Sequence, residues 1–147
     1  MRRSNGTDLD SSEHQKLEEF RYQIRRFLNF SEKAARDSGL EPQQHQALLA
    51  LRGMPAGCLP TIGHLAERLF LRHHSAVELV NRLQSLDLVS REPSVEDARQ
   101  VLVQLTPKGK RILHQLSIVH RTELEETGPK LAGALRAIGR KPRLTHS

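Results

Sequence analysis

Thr61-Ile62-Gly63-His64-Leu65-Ala66-Glu67-Arg68-Leu69-Phe70, then Leu71-Arg72, then His73-His74-Ser75-Ala76-Val77-Glu78-Leu79-Val80-Asn81-Arg82-Leu83-Gln84-Ser85-Leu86 is the stretch on which the fold turns. Ile62, Leu65, Ala66 and Leu69 share one face of a helix over Ile62–Phe70, and Thr61 supplies its N-cap hydroxyl. Leu71-Arg72 leaves room for a tight turn only. Ala76, Leu79, Val80, Leu83 and Leu86 then mark the inward face of a second helix, His73–Leu86. Two short helices joined in this way form a helix-turn-helix.

Downstream the apolar period changes from 3.6 to 2. Leu88–Glu92 reads as one strand and Arg99–Leu105 as a second, with Pro93–Ala98 as a polar tip between them. A lone two-stranded hairpin is marginal in water, so it must lean on the helices. A helix-turn-helix followed by a hairpin is a winged helix. Upstream, Leu17, Phe20, Ile24, Phe27 and Leu28 predict a helix over about 13–38, capped by Ser12 and closed by Gly39. Glu41-Pro42 starts a shorter one, with Leu48, Leu49 and Leu51 as its buried face. After the hairpin, Thr106-Pro107 opens a helix striped by Ile112, Leu116, Val119 and Leu124. Thr127-Gly128-Pro129 predicts an interruption, and Leu131, Leu135 and Ile138 belong to a last helix. The fold class is mainly α, with a two-stranded β-wing. One domain over 1–147 is expected: a winged helix at 42–106, flanked by helical segments 12–38 and 107–140 whose stripes exceed what one small winged helix needs to cover.

Composition narrows the function classes. The chain has 147 residues, 37% hydrophobic and 27% charged, which accommodates a core and disfavours disorder. A net charge of +6 points to a polyanionic partner. The segment 61–111, however, holds eight basic and six acidic residues, so only +2 of that excess lies there, and Arg2, Arg3, Arg136, Arg140, Lys141 and Arg143 sit towards the ends. Aromatic residues at 3%, with no Trp, argue against a stacking platform for single strands. One Cys precludes an intramolecular disulfide and fits a reducing cytoplasm. No apolar run approaches a spanning length and no signal-peptide pattern opens the chain, so the expected location is cytoplasmic, away from membranes.

The outward face of the second helix offers His73, His74, Ser75, Val77, Glu78, Asn81 and Arg82. These suit base reading in a major groove. His and Ser donate or accept, Asn pairs bidentately with adenine, Glu accepts from cytosine N4, and Val meets a thymine methyl. Arg72, Arg82 and Arg91 fit phosphate contacts. No catalytic constellation accompanies them: Ser75 beside His74 lacks an orienting third group, and no phosphate-cradling Gly loop or paired carboxylate is present. No enzyme activity, cofactor or metal is expected. Adjacent His73 and His74 point about 100° apart on a helix and cannot share one ion. Cys58 has no cation-rich surroundings in sequence and reads as a silent thiol.

Leu65-Ala66-Glu67-Arg68-Leu69, Ser75, Leu79-Val80-Asn81-Arg82-Leu83, Leu88-Val89-Ser90-Arg91, Asp97-Ala98-Arg99 and Leu105-Thr106-Pro107-Lys108-Gly109 together resemble MarR-type transcriptional regulators. The Asp-x-Arg wing followed by Leu-Thr-x-x-Gly is the most specific part, and the likeness spans about residues 15–140. It implies a homodimer whose terminal helices interlock, with recognition helices in successive major grooves of a pseudo-palindromic duplex. It implies further that Arg99 enters the minor groove and that Asp97 steadies its guanidinium. A small apolar or phenolic effector would lie against Phe27, Phe30, His45 and Leu49, and the regulator would be a repressor. Two positions depart from the family pattern: Ala98 replaces a second wing Arg, and Asp87 replaces the Gly that ends the recognition helix, implying mild strain. The alternative is a winged-helix protein-interaction module that does not bind DNA, for which Val77, Glu78 and Ala98 argue.

Overall fold

The computed structural model describes residues 9–139. Its elements run α1 (Ser11–Asp37), α2 (Pro42–Arg52), α3 (Ile62–Leu69), α4 (His73–Ser85), β1 (Val89–Pro93), β2 (Val101–Leu105) and α5 (Pro107–Gly139). The mainly helical architecture with one two-stranded sheet agrees with the reading of the sequence. No helix among the described residues is long and apolar enough to cross a membrane. The expectations for the two chain ends, including Arg2, Arg3, Arg140, Lys141 and Arg143, fall outside the described residues.

Two compact units divide the chain, one formed by residues 32–119 and the other by the described residues up to 31 and from 120 onward. The first holds the winged helix. Leu48, Leu65, Leu83, Leu88 and Leu116 are fully buried in its core with Val80, Val89 and Val103. Each buried leucine contributes about 1.5–3 kcal/mol relative to an exposed one. β1 and β2 pair antiparallel with Val89 opposite Leu105 and Pro93 opposite Val101. Val103 N–H also donates to the Pro60 carbonyl at 2.8 Å, which ties the wing base to the segment before α3.

Caps follow the sequence closely at three helices. Thr61 Oγ1 accepts from His64 N–H at 3.2 Å, Thr106 Oγ1 accepts from Gly109 N–H at 3.1 Å, and Glu41 N–H donates back to Gln44 Oε1 at 2.9 Å. At α1 the cap is Asp10, not Ser12: its carboxylate accepts from Glu13 N–H at 2.9 Å, and the helix starts at Ser11.

Other expectations are corrected. Thr127-Gly128-Pro129 does not interrupt the last helix; α5 passes through Pro129, while Thr127 Oγ1 donates to the Glu123 carbonyl at 2.9 Å. The proline removes the hydrogen bond to the Glu125 carbonyl and crowds that carbonyl with its ring, a local cost that the helical turns on both sides outweigh. Strand β2 begins at Val101, so Arg99 lies in the hairpin turn. Leu86, expected inside, is 43% exposed because α4 ends before it, and Leu88 takes the interior place. Leu49 is 51% exposed, one position round the helix from buried Leu48.

Both helices of the helix-turn-helix end in the same turn. Leu71 N–H reaches back to the Ala66 carbonyl at 2.8 Å and Leu88 N–H to the Leu83 carbonyl at 2.9 Å. That turn needs a left-handed residue, usually Gly, and here Phe70 (φ 55°) and Asp87 (φ 58°) supply it. The strain expected at Asp87 is thus present, and Phe70 shares it. Phe70 is also 96% exposed, so packing does not offset its strain.

The Asp87 turn is held from the far side by the start of α5. Thr106 Oγ1 donates to the Asp87 carbonyl at 2.6 Å, Thr106 N–H to the Leu88 carbonyl at 3.0 Å, and Lys108 Nζ to the Leu86 carbonyl at 3.0 Å. Gly109 makes this possible, because a Cβ there would lie 2.1 Å from the Leu88 carbonyl oxygen. We expect Gly109→Ala to lower unfolding free energy by about 1–3 kcal/mol through forced separation of the two segments. An unchanged urea midpoint would show that the turn yields freely. Phe70→Gly should do the reverse, adding about 0.5–1 kcal/mol, since relief of left-handed strain exceeds the entropy glycine adds to the unfolded chain. Thermal denaturation followed by circular dichroism reads both.

Candidate nucleic-acid interface

Helix α4 buries Ala76, Leu79, Val80 and Leu83. The 3.6-residue period then turns Arg72, His73, His74, Glu78, Asn81 and Arg82 to solvent, with Ser75 and Val77 half-buried beside them. Arg72, the N-cap residue, makes no side-chain cap bond. Among the described residues no ion pair engages Arg72, Arg82 or Glu78. The face therefore presents imidazole, hydroxyl, carboxylate and guanidinium groups over its first two turns and the Asn81 amide at the third, along the side that a recognition helix turns to the major groove in helix-turn-helix proteins.

The wing tip is built from a short polar loop. Ser94 N–H donates to the Gln100 carbonyl at 2.9 Å, closing the loop. Buried Ser94 Oγ accepts from Glu96 N–H at 3.3 Å and Asp97 N–H at 3.4 Å. Asp97 Oδ1 accepts from the backbone N–H of Arg99 at 3.0 Å and lies 3.6 Å from its Nε. Asp97 thus shapes the turn through the backbone first and pairs with the guanidinium more loosely. The Arg99 side chain is 94% exposed and projects from the tip, with Val95 fully exposed beside it in the loop.

Between helix and wing stands a junction. Arg91, on β1, donates from Nη2 to Asn81 Oδ1 at 2.8 Å and from Nη1 to Gln84 Oε1. The guanidinium bridges the strand to the last turns of α4. Arg91, read from sequence as a phosphate contact, is engaged within the protein. Gln84 is absent from the face read in sequence; its only signal there is that it lies three residues beyond Asn81, on the same side of the helix.

The residues implied as an effector pocket divide between the two units. Phe27 and Phe30 meet His120 edge-on, at ring-centroid distances of 6.0 and 5.6 Å, and His120 Nε2 is 2.8 Å from Ser31 Oγ. His120 lies 89 residues from Ser31, so this cluster has no local sequence signature. His45 is buried on α2, and Leu49 faces solvent. Within the winged-helix unit, Arg52, Lys110, Arg111 and His114 line an open cleft of about 460 Å3 with Leu113, Gln115 and Ser117. Cys58 is half-buried, its Sγ 3.9 Å from Met54 Sδ. Among the described residues no three His, Cys, Asp or Glu side chains gather as a metal site.

Residues 38–100 match the family model described as the MarR family. A curated HTH-type transcriptional regulator of Bacillus subtilis, YsmB, is 34% identical over 56 residues, and the match covers 38% of this chain and 38% of that relative's length. Among solved structures, a MarR family protein from Bacillus stearothermophilus superposes with a TM-score of 0.67 at 24% identity, over 80% of each chain. A mutant of S. aureus MepR, solved bound to an oligodeoxyribonucleotide, superposes with a TM-score of 0.61 at 19% identity, over 74% of this chain and 77% of that one. These likenesses extend well beyond the matched segment and establish the fold.

Proposed function

We propose that this chain is a MarR-type regulator of transcription that binds double-stranded DNA sequence-specifically as a homodimer, a reading supported by the family match over residues 38–100. One observation carries the reading. The Arg91 bridge makes α4 and the wing a single surface, with unpaired polar groups on the helix and an outstretched Arg99 at the tip. A helix of this width fits the major groove, while a guanidinium on a thin hairpin fits the negative potential of a narrow minor groove. His73, His74, Ser75, Val77 and Glu78 would meet base edges, and Arg72 and Arg82 the flanking phosphates.

Dimerisation is supported by apolar side chains left uncovered on the unit formed by α1 up to Ser31 and α5 from His120. Leu17, Leu28, Leu124 and Leu135 are 40%, 45%, 38% and 54% exposed. A second copy would cover them and set two recognition helices about one duplex turn apart. Repression relieved by a small apolar or phenolic effector belongs to the same proposal. A ligand favouring another spacing of those helices would weaken binding by its differential affinity, about 1–3 kcal/mol.

Selection of bound duplexes from a randomised library tests the core of this reading. A two-fold-related motif is the expected result, and a protein that enriches no sequence is not a regulator of this kind. Arg99→Ala should weaken binding and reduce the slope of log affinity against log salt by about one, measured by fluorescence anisotropy. An unaltered isotherm would remove the wing from the interface. In sedimentation, the wild-type chain should be dimeric at micromolar concentration, and Leu17→Asp combined with Leu135→Asp should shift it towards monomer. A monomeric wild type would contradict the dimer.

A further inference from the structure

Arginine carries only donors, so any amide that meets a guanidinium must turn its oxygen towards it. Both amides at the helix–wing junction obey this constraint. Asn81 Oδ1 accepts from Arg91 Nη2 at 2.8 Å, and Gln84 Oε1 accepts from Arg91 Nη1. The orientation of these two amides, ordinarily ambiguous, is fixed by the chemistry of their partner. Their NH2 groups consequently face away from Arg91, and Asn81 and Gln84 are both exposed to solvent.

We propose that Arg91 is a positioning residue that turns the Asn81 amide with its NH2 outward as a donor, favouring guanine over adenine at the base pair it meets. This rests on the DNA-binding reading given above. Bidentate pairing with adenine needs the amide oxygen and nitrogen side by side, the oxygen accepting from N6 while the nitrogen donates to N7. At Asn81 one lone pair of the oxygen is taken by a guanidinium, and the N–H donors and positive charge beside it oppose the approach of the adenine N6 donor to the second. Guanine instead offers two acceptors, N7 and O6, and no donor on that edge. The positive charge on Arg91 reinforces the choice. Its partners are neutral amides, and no ion pair engages it among the described residues. A carboxylate at either position would both neutralise it and abolish the outward donor.

The full chain is tested by selection from a randomised duplex library, with Asn81→Ala locating the position that Asn81 governs. The wild type should favour guanine over adenine there by about fivefold or more. Arg91→Ala frees the amide to rotate, and the preference should move to adenine at that position alone. Asn81→Asp keeps an acceptor for Arg91 but loses the donor, so guanine preference should disappear while the other positions stay as they were. A melt of each variant checks folding, and the exposed Asn81→Asp substitution serves should Arg91→Ala unfold. Adenine preferred by the wild type, or guanine preference retained in Asn81→Asp, would overturn the assignment and leave the regulator intact. Absence of any enriched sequence would overturn both.

Discussion

The winged-helix unit depends on a contact between two pieces of backbone. The first turn of α5 presses on the Leu88 carbonyl so closely that no side chain fits at Gly109. Four polar groups then fasten the segment between α4 and β1: Thr106 through both its hydroxyl and its N–H, Lys108 through its ammonium, and Leu88 N–H reaching back to Leu83. This segment is where the chain changes from α4 to the wing. Fixing it sets the direction in which β1 leaves α4, and hence where the wing tip lies relative to the outward face of α4. Buried polar backbone needs partners, and here satisfying it also defines the geometry of the surface. The Leu-Thr-x-x-Gly run therefore has a mechanical meaning: a core anchor, a cap that bonds in two directions, and a glycine demanded by close approach.

That rigidity makes the Arg91 bridge meaningful. A guanidinium can orient amides only if strand and helix are already held in register, and the Leu88–Gly109 contact holds them at the other end of the same turn. The left-handed residues Phe70 and Asp87 fit the same pattern. At each, a non-glycine residue bears local strain because the helix end it closes is secured elsewhere, by Leu71 to Ala66 and by Leu88 to Leu83.

Much of this was legible in the sequence, because periodicity and caps are local. Thr61, Glu41-Pro42 and Thr106-Pro107 mark helix starts that the structure reproduces. The switch to alternating residues after Leu86 marks the hairpin. Failures occurred where a local rule was overridden or where the partner is remote. Pro129 reads as a helix break, yet one lost hydrogen bond does not end a helix of 33 residues. Arg99 reads as strand by alternation, but the carboxylate of Asp97 bonds its N–H and bends it into the turn. Arg91 reads as a surface cation because its amide partners lie seven and ten residues away on another element. The Phe27–Phe30–His120 cluster has the same character, joining residues separated by most of the chain. Composition and local pattern thus name the polar groups, while the direction in which each one points depends on tertiary neighbours.

Engagement of Arg91 also changes what the charge implies. The segment 61–111 carries only +2, and one of its eight cations turns inward to the helix–wing junction, another, Lys108, to the Leu86 carbonyl. Arg72, Arg82 and Arg99 remain outward on the proposed reading surface. Phosphate contacts supply affinity without sequence information and raise binding to every competing site together. A surface with few of them gains little from non-specific attraction, so its discrimination must come from directional groups. Such groups discriminate only when their donors and acceptors are fixed in advance. A cation used to fix two amides thus contributes more to specificity than the same cation placed against a phosphate, and gives up one sequence-independent contact in exchange.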